Sequence, residues 1–100
     1  MPTREYLNPD TMSRPAGYTH VVKIDKTVYI AGQVSVSADG SVVGQGDPEA
    51  QVRQIWRNLE AAVQDEVHQG SNPPTSTLPV VSALANPDFM VEIEAIAVVE

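Results

Sequence analysis

The sequence predicts an α+β fold in which one helix packs on one face of a mainly antiparallel sheet. Three observations support this: one long stretch with helical spacing, several β-branched stretches with period two, and turn residues between them. The predicted order is β-β-(β)-α-β-β, within a single domain spanning residues 1–100 and built around one small core. One helix covers one sheet face, so we expect the other face to meet water or another subunit.

The first half of the chain is predicted to form a hairpin. Residues 1–17 contain three prolines and read as an extended arm. YTHVVKID, from residue 18, alternates as a strand, and Asp25-Lys26 form a two-residue turn. TVYIAGQVSVS, residues 27–37, is the second strand, in which Gly32 marks a bulge or a close approach to the backbone.

The turn signal at Asp39-Gly40 predicts a short return strand at residues 41–43. A helix follows at about 48–68, with Asp47 as the N-cap residue and Pro48 in the first helical position. Gly70 can end it. Its predicted apolar face consists of Val52, Ile55, Trp56, Leu59, Ala62, Val63 and Val67.

The last third of the chain begins with a proline-rich loop, SNPPTSTLP. LPVVSAL predicts a strand that starts near Val80, and Asn86-Pro87 predicts a turn. The final strand is FMVEIEAIAVVE, residues 89–100. One of its faces is wholly apolar, whereas the other mixes glutamates with Met90, Ile96 and Val98. A purely solvated face would not need those large apolar side chains.

Composition excludes several function classes. The net charge is −7 and the isoelectric point about 4.6, which disfavours binding to nucleic acid through a basic surface. The chain has no cysteine, so it has no disulfide, thiolate metal site or cysteine nucleophile. The N-terminus lacks the apolar region of a signal peptide, and no apolar run is long enough to span a membrane. We expect a cytoplasmic protein.

Four positions have side chains or a backbone suited to chemistry. Glu92 and Glu94 share one strand face, where partial burial would suit a carboxyl to acid–base work, although the pattern alone favours a solvated pair. The Tyr18 hydroxyl can contact a ligand, but a packed ring with a wet tip is the commoner arrangement. Gly32 can offer backbone N–H groups to an anion or simply mark a bulge.

The histidines and hydroxyls carry weaker signals. A lone histidine such as His20 is more often structural than a general base, and His68 suits a helix C-terminus. Two isolated histidines make no metal site. The hydroxyls of residues 75–77 have no visible base beside them, so a serine nucleophile is disfavoured.

Two long stretches resemble the RidA/YjgF family, also called endoribonuclease L-PSP or reactive-intermediate deaminases. They are NPDTMSRPAGYTHVVKIDKTVYIAGQVSVSADGSVVGQGDPEAQVRQIWRNLEAAV, residues 8–63, and PPTSTLPVVSALANPDFMVEIEAIAVV, residues 73–99. The most specific pieces are PAGYTHVV, IAGQV with its Asp-Gly hairpin, RNLEAAV and VEIEAIAV.

The resemblance implies the chorismate-mutase-like α+β fold, with a mixed sheet, and a homotrimer with small-molecule ligands in clefts between subunits. It implies hydrolysis of enamine and imine intermediates such as 2-aminoacrylate to a 2-keto acid and ammonia, without metal or organic cofactor. By position, Glu94 matches the family's acid–base carboxylate. Tyr18 matches its cleft tyrosine, and Gly32 the glycine whose backbone meets the substrate.

The sequence departs from the family at two places. Ser76 stands where active deaminases carry an arginine for the substrate carboxylate, and no arginine follows Arg57. In addition, VQDEVHQGSN joins helix to loop directly, so about one strand and one helix of the family are missing.

These departures leave two functions open. The leading hypothesis is a RidA-like enamine and imine deaminase. The alternative is a non-catalytic RidA-like protein that binds a small ligand or has a regulatory role, which the missing arginine favours. The acidic charge and the lack of basic clusters argue against the ribonuclease activity that the older family label suggests.

Overall fold

The computed structural model describes residues 3–63 and 75–98, which form one four-stranded sheet and one helix. The elements in chain order are β1 (Arg4–Leu7), β2 (Val21–Ile24), β3 (Thr27–Gln33), α1 (Pro48–Val63) and β4 (Ile93–Val98). The strands lie in the order β1-β2-β3-β4, and each of the three pairings is antiparallel. The predicted α+β class, with one helix on one face of the sheet, is therefore confirmed.

Local turn and cap chemistry places two elements as predicted. The tight turn at Asp25 and Lys26 joins β2 to β3, and Asp25 has φ 52°, a conformation that aspartate tolerates. The α1 helix begins at Pro48, and the Asp47 carboxylate accepts a hydrogen bond from the Ala50 backbone N–H at 3.2 Å. The predicted continuation to residue 68 and the stop at Gly70 lie outside the described residues.

The N-terminal arm was not predicted to contain a strand, yet it supplies β1. Its residues pair with β2 from Arg4 opposite Ile24 to Leu7 opposite Val21. The next strand is correspondingly shorter than predicted, because it begins at Val21 and leaves residues 18–20 outside it. The prolines that follow β1 mask a four-residue strand in the sequence pattern.

Of the strands predicted after β3, two do not form and the third is shorter than predicted. Residues 41–43 form no strand and contribute only an isolated bridge between Val36 and Val42. The LPVVSAL stretch is exposed and irregular, so the strand predicted near Val80 is wrong. The final strand begins at Ile93 rather than at residue 89, since a turn at 86–89 precedes it. β-propensity without a pairing partner does not make a strand.

The core lies between the sheet and α1. The fully or nearly buried apolar side chains are Met12, Val21, Val28, Ile30, Ile55 and Ala62. The helix face is rotated from the predicted one: Val52 and Trp56 are exposed, whereas Gln51 and Asn58 are buried. Asn58 donates to the backbone carbonyls of Val34 and Val36 at 3.2 and 3.1 Å, so a polar side chain occupies the buried face.

Candidate functional site

The candidate site lies at the end of the sheet where β3 bulges against β4. Ile30 pairs with Ala95 and Gln33 pairs with Ile93, so three steps along β3 match two steps along β4. Ala31 and Gly32 therefore both stand opposite the single residue Glu94. This arrangement is a β-bulge, which confirms the irregularity predicted at Gly32.

The Glu92 side chain lies directly over Gly32. A Cβ atom built on Gly32 would be 2.9 Å from Glu92 Cδ, and nearer still to one carboxylate oxygen. Glycine is therefore required here for the carboxyl group to approach the β3 backbone. Any side chain at this position would displace it.

Glu92 and Glu94 are both exposed, so neither is desolvated in the single chain. Sequence reasoning ranked Glu94 above Glu92 as the acid–base group. The geometry gives them different surroundings: Glu94 stands opposite the bulge, and Glu92 contacts Gly32. The sequence does not predict the different surroundings of the two glutamates, because these depend on the extra residue of β3 at the bulge.

Tyr18 stands at the same end of the sheet. The Ala31 backbone N–H donates to the His20 carbonyl at 2.9 Å, which places the residues before His20 beside those after Ala31, including Gly32. The Tyr18 ring meets the His20 ring edge to face, with centroids 5.5 Å apart, and 54% of the residue is exposed. One side of the ring is packed and its remainder faces solvent.

His20 supports the site rather than serving as an exposed base. It is only 3% exposed, and its Nε2 lies 2.6 Å from the Ser13 carbonyl oxygen, so Nε2 carries a proton. Its Nδ1 lies 3.3 Å from the Gln33 amide nitrogen, which also donates to the Ala31 carbonyl. The bond to the Ala31 carbonyl orients the Gln33 amide group so that its nitrogen points toward His20. Because that nitrogen donates, His20 Nδ1 is the acceptor. His20 is therefore a buried structural residue, as the sequence analysis favoured.

A buried glutamine on α1 positions the chain that leads into β4. Gln51 is fully buried, and its amide donates to the carbonyls of Gly44 and Asp88 at 3.1 and 2.8 Å. Its Oε1 accepts from the Met90 backbone N–H at 3.0 Å. Sequence reasoning missed this residue, because a helical glutamine usually marks a solvated face. Its three bonds hold the backbone two residues before Glu92.

The position of the family arginine is occupied by an exposed serine. Ser76 lies within residues 75–80, all of which are exposed. None of the hydrogen bonds in the described part of the chain involves them. The arginines nearest to this segment in sequence, Arg53 and Arg57, lie on the exposed side of α1, where Arg53 pairs with Glu49 at 2.5 Å. No cation in residues 75–98 accompanies the two glutamates.

No element formed by residues 3–63 and 75–98 covers the sheet face opposite α1, and large apolar side chains lie on it, as the sequence predicted. Two cross-strand rows run across it: Tyr6, Val22, Tyr29 and Ile96, and beside them Arg4, Ile24, Thr27 and Val98. Ile96 and Val98 are each 70% exposed, and Tyr6 is 61% exposed. Because side chains alternate along β4, Glu94 belongs to this same face. A partner that covered the face would therefore approach the site.

Two further classes of site were sought in residues 3–63 and 75–98. These residues contain no group of three or more histidine, cysteine, aspartate or glutamate side chains that could hold a metal ion. No helix formed by them is long and apolar enough to cross a membrane.

Known proteins agree with this fold. The chain is similar to the yeast protein YEO7, with a TM-score of 0.85, 17% identity, and coverage of 98% of this chain and 100% of that one. It is also similar to YyfA from Yersinia pestis, a conserved Rid-family protein of unknown function, with a TM-score of 0.82 and 22% identity over 97% and 100% of the two chains. No curated protein sequence matches the chain significantly.

The fold is therefore the chorismate-mutase-like fold of the Rid proteins. The predicted loss of a strand and a helix after α1 falls largely on residues 64–74, outside the described part of the chain, and stays a prediction. Residues 10–68 match the family described as endoribonuclease L-PSP, which is more than half of the chain. The chain belongs to this family, the RidA/YjgF family.

Proposed function

We propose that this protein hydrolyses reactive enamine and imine intermediates, such as 2-aminoacrylate, to a 2-keto acid and ammonia. The observation that carries the proposal is the convergence of Tyr18, the Gly32 bulge and two glutamates at one end of the sheet. Family membership supports the same chemistry. The reaction needs acid–base groups and bound water, and neither a metal nor an organic cofactor is invoked.

The proposed reaction moves protons through a carboxyl group. An enamine first gains a proton from solvent water at its β-carbon and becomes an iminium ion. Water then attacks the iminium carbon while a glutamate takes one of the water's protons, which forms a carbinolamine. The glutamate returns that proton to the nitrogen. The C–N bond then breaks as the carbinolamine hydroxyl becomes the carbonyl and gives its proton to solvent water, and the keto acid and ammonia leave. Within this scheme Tyr18 and the Gly32 backbone hold the substrate.

Either glutamate can fill the acid–base role. The resemblance favours Glu94, whereas the contact with Gly32 favours Glu92, which stands closer to the backbone that would hold the substrate. We propose Glu94 as the first candidate from sequence and Glu92 as the candidate that the geometry adds. Substituting each in turn separates the two.

A homotrimer would complete the site. In the single chain both glutamates are exposed, so the low-dielectric surroundings that help acid–base catalysis are missing. We propose that the uncovered sheet face, with Tyr6, Tyr29, Ile96 and Val98, forms the subunit interface. Covering it would place the end that carries Glu94 in a cleft between subunits.

The test is a rate measurement with 2-aminoacrylate generated in situ. Glu92→Gln and Glu94→Gln are compared with Glu60→Gln, which removes an exposed carboxylate on α1. We expect the acid–base glutamate to lose about 100-fold or more in rate, because general acid–base catalysis typically contributes that much. Glu60→Gln should match the wild type. Equal rates for all four proteins would refute both assignments.

The second candidate function is ligand binding without turnover. It is favoured by Ser76, which stands where active deaminases have the arginine for the substrate carboxylate. A charge-assisted hydrogen bond to such an arginine is worth about 1.5–3 kcal/mol, so its loss weakens substrate binding by roughly 10- to 150-fold. Calorimetric titration with pyruvate, together with the rate assay, separates the two: saturable binding with no aminoacrylate turnover would favour a binding protein.

A further inference from the structure

The outer edge of β4 is an open strand edge. β4 pairs with β3 on one side, and among residues 3–63 and 75–98 no strand lies on its other side. The edge has six residues, no proline or lysine, and one charge, at Glu94. Natural proteins usually blunt such an edge with charges, proline or a very short strand, because exposed backbone groups recruit further strands.

The opposite edge of the sheet shows what a blunted edge looks like in this molecule. β1 has only four residues and carries both Arg4 and Glu5. Of the two edges, only the β4 edge is long and almost uncharged.

The same chain contains a segment suited to that edge. Residues 78–84, LPVVSAL, have the β-branched composition of a strand, and Leu78, Val80 and Val81 are 88%, 98% and 58% exposed. No hydrogen bond of the described residues involves the backbone of this segment. It is therefore an exposed apolar stretch whose backbone bonds to none of the residues at 3–63 and 75–98, and exposed apolar surface of this kind often marks a contact site.

The charge distribution leaves this edge and this segment as surfaces at which a second copy of the chain can approach. The chain carries a net charge of −7, so most surfaces of two copies repel each other. Residues 75–85 contain no charged side chain, and the part of the segment that follows Pro79, residues 80–84, is long enough to pair with most of the six residues of β4. Reciprocal contacts would cover both open edges and both segments at once, as a closed twofold dimer does.

We propose that residues 78–84 of one copy add as a strand to the outer edge of β4 of a second copy, and that the exchange is reciprocal. The backbone groups of the segment gain partners, and its apolar side chains extend the sheet beside Ile96 and Val98. This contact uses the edge of the sheet and leaves its uncovered face free. It therefore stands or falls separately from the proposed trimer.

Proline substitution tests the backbone pairing. Val80→Pro and Val81→Pro each remove one amide, and of two consecutive amides one faces a partner strand. Val80→Thr and Val81→Thr are the matched controls, because they keep the amide and the β-branched shape. Val80 and Val81 are exposed and make no hydrogen bond among residues 3–63 and 75–98, so the folded single chain should tolerate all four changes.

Sedimentation velocity over a concentration series measures the self-association of the five proteins. We expect the wild type and both threonine variants to associate alike. At least one proline variant should dissociate at a concentration roughly 5- to 150-fold higher, because a reciprocal dimer loses the same hydrogen bond in both copies. A wild type that stays monomeric overturns the proposal. An assembly that neither proline variant weakens also overturns the proposal. If Ile96→Lys dissociates that assembly, the result supports the trimer formed through the sheet face instead.

Paramagnetic broadening locates the contact directly. The chain has no cysteine, so Ser82→Cys provides a single thiol for a nitroxide label. Labelled copies at natural isotope abundance are mixed with ¹⁵N-labelled copies of native sequence. We expect the amides of Ile93–Val98 to broaden and those of Arg4–Leu7 to stay sharp. Broadening that is absent, or strongest in β1 or α1, contradicts the proposal.

Discussion

Replacement of Gln51 by leucine tests how the chain before β4 is held. Leucine has nearly the volume of glutamine but cannot donate or accept, so Gln51→Leu removes all three bonds, to Gly44, Asp88 and Met90. A net contribution of about 0.5–1.5 kcal/mol for each bond predicts a loss of roughly 2–4 kcal/mol in the free energy of unfolding. That is a large share of the stability of a domain of this size.

The matched control is Gln54→Leu, one turn along the same helix. Gln54 makes one side-chain bond, to the Asn58 Oδ1 at 3.0 Å, so the same substitution should cost about 1 kcal/mol or less. Helix propensity changes equally in the two variants and cancels in the comparison. Urea unfolding measures the stabilities, and hydrogen exchange at the Met90 amide reports the local contact.

Two results would refute the reasoning about Gln51. One is a Gln51→Leu stability within about 0.5 kcal/mol of Gln54→Leu, which is the error expected for independent sites. The other is unchanged exchange of the Met90 amide, which would mean that something other than Gln51 protects it. If Glu92 is the acid–base group, Gln51→Leu should also reduce the turnover rate of the folded protein. The reason is that the substitution releases the Met90 backbone, which lies two residues before Glu92.

Three further predictions concern single positions. Gly32→Ala should change the free energy of unfolding by less than about 1 kcal/mol, because only the end of the exposed Glu92 side chain must move. The same substitution should reduce turnover if Glu92 is catalytic. Unchanged turnover would exclude that role. Bonds from the Ser37 hydroxyl, then from the Ser41 hydroxyl and backbone N–H, lower the pKa of Asp39 from 3.8 to about 2. This stabilisation is complete above about pH 5 and is lost as the pH falls toward 2. Carboxyl ¹³C titration should therefore show a midpoint near 2, and a midpoint near 3.8 would contradict this prediction. Gly44→Ala should destabilise the protein more than Gly46→Ala. Both glycines have φ 74°, a conformation that costs alanine about 1–2 kcal/mol, but only at Gly44 would the added Cβ meet α1, at 2.7 Å from the Ala50 Cβ. Equal losses in the free energy of unfolding, measured with urea, would refute this.

Local chemistry made parts of the fold predictable from the sequence. The start of α1 follows from Asp47 and Pro48, whose capping role needs no distant contact. The turn at Asp25-Lys26 follows equally from neighbouring residues. The irregularity at Gly32 was visible because a glycine interrupts a strand pattern, although its consequence for Glu92 was not.

The features that sequence did not reveal depend on distant contacts. The buried face of α1 includes Gln51 and Asn58, whose carbonyl partners lie far along the chain, so apolar periodicity pointed toward Val52 and Trp56 instead. The order of importance of the two glutamates depends on a register shift between β3 and β4. Both are properties of pairing rather than of composition.

The Gln51 contacts also determine how this part of the molecule should respond to denaturants and heat. They hold residues 88–90 through hydrogen bonds, and the stretch 85–90 contains few buried side chains. Its release would expose little apolar area, so it should contribute little to the heat capacity change or to the denaturant m-value of unfolding. Opening of the backbone that leads to the two glutamates should therefore occur as a small local fluctuation below the global transition, at a rate nearly independent of urea.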